Sequence, residues 1–364
     1  MSRDRVLVVT NDFPPRPGGI QSFVHGLVSR LPADDVVVLT SRWRGWQEWD
    51  ATQPYEIVRA DTSVLLPTPS VRRQAVSLLR SRSCSAVWFG AAAPLGLLAS
   101  SLRTAGAARI VATTHGHEVG WAALPVARQT LRRIASAVDV VTYLGEFTRA
   151  RLAGIAPHLQ QLAPGVDAAH FRPGCGDEVR ARLGLHDRPV IVCVSRLMPR
   201  KGQDVLVRAL PIVQRSVPDA ALLLVGGGPM RSRLDGVDSV VVTGSVPYVE
   251  LPAYYGSGDV FAMPCRTRLG GLDVEGLGIV YLEAAACGLP VIAGRSGGAP
   301  DAVRDGDTGY VVDGTSVDAV ADALVELLSN LGRARTMGER GREWVTDEWS
   351  WDRSVTRLRE MLAV

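Results

Sequence analysis

The sequence has no long hydrophobic run and no closely spaced cysteines. None of its apolar stretches reaches the roughly 18 to 20 residues that a membrane-spanning helix requires. The first residues turn polar after a very short apolar run, which predicts a first β-strand rather than a signal peptide. The 5 cysteines are scattered and form no CxxC pair, so we expect neither a disulfide framework nor a zinc site, and a reducing cytoplasm fits.

The net charge is also small, at +3 for 364 residues, but it is unevenly distributed. Residues 1–167 contain 18 Lys and Arg against 12 Asp and Glu, or +6, which leaves 22 against 25, or −3, for the rest. A basic first half is typical of binding to phosphates or to an anionic membrane. Solvated surface arginines explain the same charge equally well.

The chain is too long for one ordinary core, and short β-branched runs alternate with helical patterns throughout it. Twelve runs predict buried parallel strands: 5–10, 35–40, 55–60, 86–90, 109–115, 140–145, 189–196, 221–228, 240–244, 260–264, 290–294 and 309–313. This pattern predicts an α/β fold of two Rossmann-like, doubly wound parallel-sheet domains. Their predicted boundaries are 1–167, completed by a final helix at about 347–364, and 168–346, with a Gly- and Pro-rich seam at 162–178.

Ligands of such sheets bind beyond the carboxyl ends of the strands, and two facing sheets are expected to form an interdomain cleft. After the first strand, Gly18 and Gly19 precede a helix predicted from about Ile20. Adjacent glycines at a helix N-terminus suit a phosphate, although a tight strand–helix turn uses them as well. The absence of a GxGxxG fingerprint argues against a nicotinamide dehydrogenase.

Arg196 and Lys201 follow the first strand of the second half, just before a helix predicted from about Gln203. Two cations at a positive helix end repel each other and oppose the helix dipole, and a diphosphate between them removes both objections. Two solvated surface cations remain the structural alternative. Arg200 is expected to be a solvated neighbour. The turn "VGGGPM" (225–230) is consistent with backbone passing close to a nucleotide.

Two acidic residues lie eight positions apart in the otherwise apolar stretch "VEGLGIVYLEAAACGLPVIA" (274–293). Its glycines predict a turn followed by a helix from about Ile279 to Cys287, with Glu275 before the helix and Glu283 one turn inside it. Carboxylates beside a phosphate should contact neutral donors such as sugar and ribose hydroxyls. A buried pair between Glu283 and one arginine is the structural alternative.

These motifs together resemble the retaining GT-B glycosyltransferases of the GT4 type. The resemblance rests on the E-x7-E spacing and on "SRLMPRKG", "LLLVGGGP", "YYGSGDVFAMP" and the N-terminal Gly-Gly loop, in the same order over almost the whole chain. At finer grain, "TNDFPPRPGGIQSF", "THGHEVGW" and "CRTRLGGLDVEGLGIVYLEA" resemble the actinobacterial GDP-mannose-dependent phosphatidylinositol-monomannoside mannosyltransferases. That resemblance implies GDP-mannose as donor and phosphatidylinositol monomannoside as acceptor, joined in α-1,6 linkage.

The resemblance also implies roles for individual residues. Arg196 and Lys201 would hold the donor diphosphate, Glu275 the sugar hydroxyls and Glu283 the ribose. The remaining implied donor-site positions are Gly19, Val246, Gly276, Leu277, Gly278, Ile279 and Val280. His115 would lie beside the reacting sugar, with His117 as the alternative contact, and Asp12 would lie where the acceptor enters. A histidine of the core and an N-terminal cap are the structural alternatives for these positions.

The resemblance implies a front-face mechanism in which the leaving phosphate accepts the proton of the acceptor hydroxyl. Neither a metal nor another cofactor is expected, because two cations already offset the diphosphate. Asp305 and Asp307 resemble a metal-binding DxD motif, but turn chemistry explains them.

A lipid acceptor implies a peripheral enzyme on the inner face of the plasma membrane, with no nucleic-acid partner. Residues 70–83 form a basic amphipathic helical pattern, and Trp43, Trp46 and Trp49 are spaced by three. Helices that pack on a sheet have the same pattern, which we favour for both segments. The alternatives are a GT4 enzyme with another donor or acceptor, a non-catalytic nucleotide-sugar binding module, or a nucleotide-sugar epimerase of similar fold.

Overall fold

The structure is a computed structural model that describes residues 5–116 and 124–364. The chain divides into two compact units: the first unit comprises Met1–Gly165 with Trp351–Val364, and the second unit comprises Val166–Ser350. The boundaries predicted from the sequence pattern were 167/168 and about 346/347. Each unit is built around its own parallel β-sheet.

The first unit contains a seven-stranded sheet in the order β3-β2-β1-β4-β5-β6-β7, and every neighbouring pair is parallel. Its strands are β1 Arg5–Val9, β2 Val36–Ser41, β3 Glu56–Ala60, β4 Cys84–Phe89, β5 Arg109–Thr113, β6 Val140–Tyr143 and β7 Leu159–Gln161. The first six were predicted. The edge strand β7 was missed because its sequence, LQQ, is short and mostly polar.

The second unit contains a six-stranded parallel sheet in the order β10-β9-β8-β11-β12-β13. Its strands are β8 Val190–Val194, β9 Ala221–Val225, β10 Val240–Gly244, β11 Val260–Met263, β12 Val291–Gly294 and β13 Gly309–Val312. All six were predicted. Both sheets are therefore doubly wound, which confirms the predicted fold class.

The helices that cover the two sheets are numbered here in chain order over the described residues. They are α1 Gly19–Val28, α2 Trp46–Asp50, α3 Pro69–Ser81, α4 Ala99–Ala105, α5 Pro125–Ala135, α6 Glu146–Leu152, α7 Asp177–Leu183, α8 Gln203–Val213, α9 Arg231–Leu234, α10 Leu251–Gly256, α11 Ile279–Ala286, α12 Val317–Ser329, α13 Leu331–Glu348 and α14 Trp351–Leu362. The predicted starts near Ile20, Gln203 and Ile279 agree with α1, α8 and α11.

Successive side chains of each strand point to opposite faces of the sheet, which divides the core of the first unit into two layers. In β1, Val6 and Val8 face one cluster, whereas Leu7 and Val9 face the other. The first cluster is covered by α1 and by the last helix, α14, which contributes Leu358 with three other apolar residues. The second cluster is covered mainly by α3, α4 and α5. Helix α14 thus covers one face of the sheet to which the first strand, β1, belongs.

Both segments considered for membrane contact use their apolar side chains inside the first unit. The apolar face of α3, including Val71 and Leu79, is buried in the core. Trp49 packs edge-on against Phe13, with ring centroids 5.6 Å apart. Packing in the core therefore explains the pattern of α3 and the position of Trp49, whereas Trp43 remains 41% exposed. No helix within the described ranges is both long and apolar enough to cross a bilayer.

Candidate active site

The second sheet has its topological switch point between β8 and β11, which are neighbours in space and are separated by β9 and β10 in the chain. Connections leave these two strands toward opposite edges of the sheet, so a crevice opens beyond their carboxyl ends. Arg196 and Lys201 lie in the loop after β8, and Glu275 lies in the loop after β11. The strand order therefore brings together residues that are 74 positions apart.

A glycine fixes the approach of these two loops. Pro199–Lys201 form a single 3₁₀ turn, and Gly202 follows with φ 80° as the N-cap of α8. A Cβ atom at Gly202 would lie 2.1 Å from the carbonyl oxygen of Pro264, in the loop after β11. No other residue type fits both the left-handed backbone and this contact. Lys201 is consequently held at the N-terminus of α8, with its side chain directed toward Glu275.

Lys201 and Glu275 form a buried ion pair. The Lys201 Nζ donates a hydrogen bond of 2.7 Å to Oε2 of Glu275, and their side chains are only 11% and 8% exposed. The expectation that Glu275 contacts only neutral groups is therefore wrong for this structure. The same pairing corrects the picture of two adjacent unbalanced cations, because Glu275 balances Lys201. Close charges at low exposure interact strongly and hold the carboxylate in one position.

The two arginines of the same loop differ in a way that the sequence did not indicate. Arg196 is exposed, and its guanidinium has no ion pair among the described residues. Arg200 was expected to be solvated, which is wrong. Its side chain is 27% exposed and lies 3.7 Å from Asp273 and 3.8 Å from Glu275. The exposed Arg196 can reach a ligand, whereas Arg200 belongs to the buried charge cluster.

The N-terminus of α11 provides backbone donors on the same edge. Gly278 is its N-cap, with φ 82°, and neither a capping side chain nor an acidic residue occupies the first turn. A Cβ at Gly278 would lie 2.5 Å from the Tyr281 ring, so a glycine is required. The first N–H groups of a helix have no partner within it, and they favour an anion. The predicted backbone positions lie here: Gly276, Leu277, Gly278, Ile279 and Val280.

Glu283 lies one turn into α11 and is buried, as predicted. Its Oε2 accepts a hydrogen bond of 2.7 Å from the hydroxyl of Tyr255, which is itself fully buried. The alternative of an arginine partner is thus wrong, because the partner is a neutral hydroxyl. Burial raises the pKa of Glu283 to about 7, and the Tyr255 hydrogen bond opposes that rise. A carboxyl with this pKa is ionised or neutral according to small changes in its surroundings.

Two glycines that the sequence analysis left without a role position Glu275. The Gly298 N–H donates to the Glu275 carbonyl at 2.9 Å, and a Cβ at Gly297 would lie 1.9 Å from that carbonyl oxygen. An adjacent Gly-Gly pair shortly after β12 was the available signal. The glycines after β9 act similarly: a Cβ at Gly226 would lie 2.1 Å from the carbonyl oxygen of Ser195. The glycines after β9 thus permit a close approach between two loops of the protein.

In the first unit, the glycines after β1 have different environments. A Cβ at Gly18 would lie 2.1 Å from the Gln21 side chain, whereas a Cβ at Gly19 would meet no atom within 4 Å. The packing of the chain itself therefore does not explain Gly19, and the space beside it can admit a ligand. The Asp12 carboxylate accepts a hydrogen bond of 2.7 Å from Gln21. Asp12 is thereby attached to α1, close to the same glycines.

His115 follows β5 and is buried, with 9% of its surface exposed. Its Nε2 lies 2.5 Å from the carbonyl oxygen of Gly90, after β4. A carbonyl can only accept, so Nε2 carries the proton in this contact. Phe23 packs edge-on against the imidazole at 5.3 Å. The ring is thus fixed at the carboxyl edge of the first sheet, while His117 lies outside the described residues.

Val246 and the DxD-like turn lie in other loops of the second unit. Val246 follows β10 and is half-buried in the loop at the edge of the second sheet. Asp305 accepts a hydrogen bond from the Val311 N–H at 2.9 Å, and Asp307 pairs with Arg340 at 2.9 Å. Both carboxylates of the DxD-like turn therefore have structural partners. No cluster of three or more potential metal ligands occurs within the described ranges.

Comparisons with known proteins give matches in both units of the chain. Residues 17–170 match the family model "Glycosyltransferase Family 4", and residues 177–344 match "Glycosyl transferases group 1". A Mycolicibacterium smegmatis protein named "GDP-mannose-dependent alpha-(1-6)-phosphatidylinositol monomannoside mannosyltransferase" is 53% identical, with 98% of each chain covered. A Corynebacterium glutamicum protein named for the monoacylated form of that acceptor is 46% identical, with 98% of this chain and 97% of that protein covered.

Solved structures support the fold. A sucrose-phosphate synthase from Thermosynechococcus elongatus matches with a TM-score of 0.79 at 22% identity, covering 98% of each chain. Anabaena HepE in complex with UDP matches with a TM-score of 0.82 at 17% identity, covering 99% of each chain. The two doubly wound units and their loops thus define a GT-B glycosyltransferase. Within that class, the chain belongs to glycosyltransferase family 4, alongside its near full-length relatives.

Proposed function

We propose that this protein transfers mannose from GDP-mannose to phosphatidylinositol monomannoside, forming an α-1,6 linkage with retention of configuration. The main support is the 53% identity over 98% of the chain to an enzyme of that name. The charge cluster at the second switch point, centred on Lys201 and Glu275, provides chemistry that suits a sugar diphosphate.

In this proposal, Arg196 and Lys201 bind the donor diphosphate. Arg196 is exposed and free to form two parallel hydrogen bonds, while Lys201 supplies a compact charge beside the N-terminus of α8. The N-terminus of α11 adds backbone N–H groups. These groups stabilise the negative charge that grows on the leaving phosphate as the glycosidic bond breaks.

The two glutamates bind the hydroxyl groups on either side of the diphosphate. Glu275, positioned by Lys201 and by Gly298, accepts hydrogen bonds from the mannose hydroxyls. Glu283 accepts hydrogen bonds from the ribose hydroxyls, most strongly in its ionised form. Gly19 approaches the β-phosphate, and Val246 lies beside the base. Each of these roles follows from the family resemblance.

The reaction proceeds on the front face of the sugar. The acceptor hydroxyl attacks the anomeric carbon from the side that the diphosphate leaves, and the departing phosphate oxygen takes the hydroxyl proton. His115 lies beside the reacting sugar, with its ring fixed through Nε2–H by Gly90. Asp12 orients the acceptor, and His117 is the alternative contact. No metal is required, because Arg196, Lys201 and two helix ends offset the charge.

The acceptor is a lipid, so we propose that the protein is peripheral on the inner face of the plasma membrane. A surface groove of about 900 Å³ between α3 and α4 supports this location. Arginines, hydroxyl side chains and one valine line it: Arg72, Arg73, Val76, Ser77, Arg80, Ser81, Ser100, Ser101 and Thr104. None of the described residues that line this groove is acidic, so its positive charge is available to lipid phosphates.

One transfer experiment tests the enzyme assignment. Purified protein is given phosphatidylinositol monomannoside with GDP-mannose, with UDP-glucose, or with GDP-mannose and EDTA. We expect transfer from GDP-mannose alone and in the presence of EDTA, and none from UDP-glucose. No transfer from GDP-mannose would refute the donor and acceptor assignment. Transfer that stops in EDTA and returns with a divalent metal would refute only the metal-free mechanism.

A further inference from the structure

Two cationic side chains approach one carboxylate oxygen in the second unit. Oε2 of Glu275 lies 2.7 Å from Lys201 Nζ and 3.8 Å from Arg200 Nε. The same Nε lies 3.7 Å from Oδ1 of Asp273. Lys201 therefore makes a direct hydrogen bond to Glu275, while Arg200 lies just beyond hydrogen-bond distance between two carboxylates.

Arg200 has a donor that is buried but unused. Its Nε atom is inaccessible to solvent and has no hydrogen-bond partner among the described residues. Most buried donors in folded proteins are paired, so an unpaired N–H between two carboxylates requires an explanation. The backbone on either side is well fixed, since the Arg200 carbonyl accepts a hydrogen bond of 2.8 Å from the Arg266 N–H. The unpaired donor is thus held in place and can form a bond after a small shift.

The proposed function places competing demands on Lys201. Without donor, its ammonium neutralises Glu275, whose side chain is 8% exposed. With donor, the same ammonium must also face a diphosphate, which carries more negative charge than one carboxylate. A buried carboxylate that loses its cation is strongly destabilised, because solvent does not replace the lost interaction. Glu275 needs a second cation at the moment when it has to hold the sugar.

We propose that Arg200 is a positioning residue. When the donor diphosphate binds Lys201, Arg200 replaces Lys201 as the ion-pair partner of Glu275. This inference rests on the proposed function and adds an exchange of ion pairs to it. Arg200 is already 3.8 Å from the correct oxygen and has the unused N–H. Asp273 holds the guanidinium from its other side, and Arg268 in turn lies 3.6 Å from Asp273. Arg200 touches neither phosphate nor sugar in this scheme.

The exchange predicts that Arg200 affects nucleotide binding only through Glu275. GDP is the suitable probe, because it carries the diphosphate but lacks the sugar that Glu275 binds. The test measures the Kd for GDP by titration calorimetry for wild type, Arg200→Gln, Glu275→Gln and the double variant. We expect Arg200→Gln to weaken GDP binding by about tenfold or more, and the same change to cost less than about threefold when Glu275 is already Gln.

Two further variants separate positioning from simple structural damage. Arg200→Lys keeps a cation near Glu275 and should restore GDP binding to within about threefold of wild type. Arg208→Gln removes an exposed cation from α8 without touching Glu275 or Asp273, and it should leave GDP binding unchanged. Circular dichroism spectra of all variants should match that of wild type.

The outcomes are distinct. Unchanged GDP binding by Arg200→Gln would overturn the inference, as would an equal loss with and without Glu275, which would mean that Arg200 binds the diphosphate directly. Failure of the wild type to bind either GDP or GDP-mannose would instead overturn the proposed function, and the exchange with it. The exchange is confirmed if wild type binds GDP tightly and if Arg200→Gln weakens GDP binding only when Glu275 is present.

Discussion

The hydroxyl of Tyr255 donates a hydrogen bond of 2.7 Å to the carboxylate of Glu283, and both residues are buried in the second unit. Tyr255 belongs to α10, whereas Glu283 belongs to α11, so the contact joins two separate helices. Among the described residues, Tyr255 provides the one side-chain hydrogen bond to a carboxylate that burial would otherwise leave isolated. The ribose-binding role proposed for Glu283 therefore depends on a side chain outside the E-x7-E motif.

Replacing Tyr255 by Phe should reveal that dependence. The change removes the one hydrogen bond that lowers the pKa of Glu283, so that pKa should rise further above about 7. Leaving a buried acceptor unpaired costs about 1 to 3 kcal/mol of the free energy of unfolding. Urea denaturation measures this loss. Tyr254→Phe is the matched control, since its hydroxyl contacts Arg182 instead, and an equal loss in both variants would contradict the prediction.

The raised pKa of Glu283 also predicts how stability varies with pH. Below its ordinary pKa of 4.5 the carboxyl is protonated in both states, whereas between 4.5 and about 7 only the folded state keeps the proton. The folded state then binds more protons, so the free energy of unfolding falls as pH rises through this window.

Glu283→Gln should remove this contribution. Across the window, wild type should lose roughly 3 kcal/mol of stability relative to the variant, because one pKa unit corresponds to about 1.4 kcal/mol. Urea unfolding of both proteins at a series of pH values measures the difference. A stability difference that stays constant with pH would show that Glu283 titrates normally.

Glu275→Gln should separate nucleotide binding from transfer. Loss of the carboxylate frees Lys201, so the Kd for GDP should not rise. Mannose transfer should fall by about 100-fold or more, because an oriented acceptor of the sugar hydroxyls is lost. Calorimetry with GDP and initial rates with GDP-mannose provide the two measurements. GDP binding that weakens in parallel with transfer would argue against the Lys201–Glu275 pairing.

Lys201→Ala should reduce both functions. We expect a loss of at least about 2 kcal/mol of transition-state stabilisation, because a preorganised charge leaves the diphosphate site. The ratio of kcat/KM between wild type and variant gives this value directly. Arg208→Ala is a matched control, since Arg208 lies on the following helix and its ion pair within the described ranges is with Asp204. A near-normal rate for Lys201→Ala would place the diphosphate elsewhere.

The arginine groove predicts a selective effect on lipid binding. Replacing Arg72, Arg73 and Arg80 together by Gln should weaken the free energy of binding to phosphatidylinositol vesicles by about 3 kcal/mol, at about 1 kcal/mol for each arginine. Co-sedimentation with the vesicles measures this binding. The Kd for GDP should not change. A triple variant of exposed arginines in the second unit, Arg215, Arg233 and Arg335, is the matched control. Equal vesicle binding by the two triple variants would refute the groove as the contact surface.

Much of the fold could be predicted because it is encoded locally. Buried parallel strands are continuous apolar runs, and twelve of the thirteen strands showed that pattern. Helix starts were visible where glycine precedes an apolar face, as at Gly278. Strand β7 was missed because a three-residue edge strand with two glutamines has no such pattern.

The charge cluster was only partly predictable because it depends on contacts between distant segments. The sequence indicated that Lys201 and Glu275 share one edge of the sheet, since both follow strands. It did not indicate that they pair, that Arg200 turns inward, or that Tyr255 meets Glu283. Each of these contacts joins separate loops or helices, and the spacing of residues along the chain contains no information about which ones meet.

The packing of α14 on the first sheet has a consequence for how the protein folds during its synthesis. Val355, Leu358 and Met361 cover strands whose residues leave the ribosome first, yet they are themselves synthesised after all of residues 166–350. The second unit therefore has every segment it needs while the first still exposes one face of its sheet. A nascent chain of this protein must keep that face from aggregating until the last helix arrives.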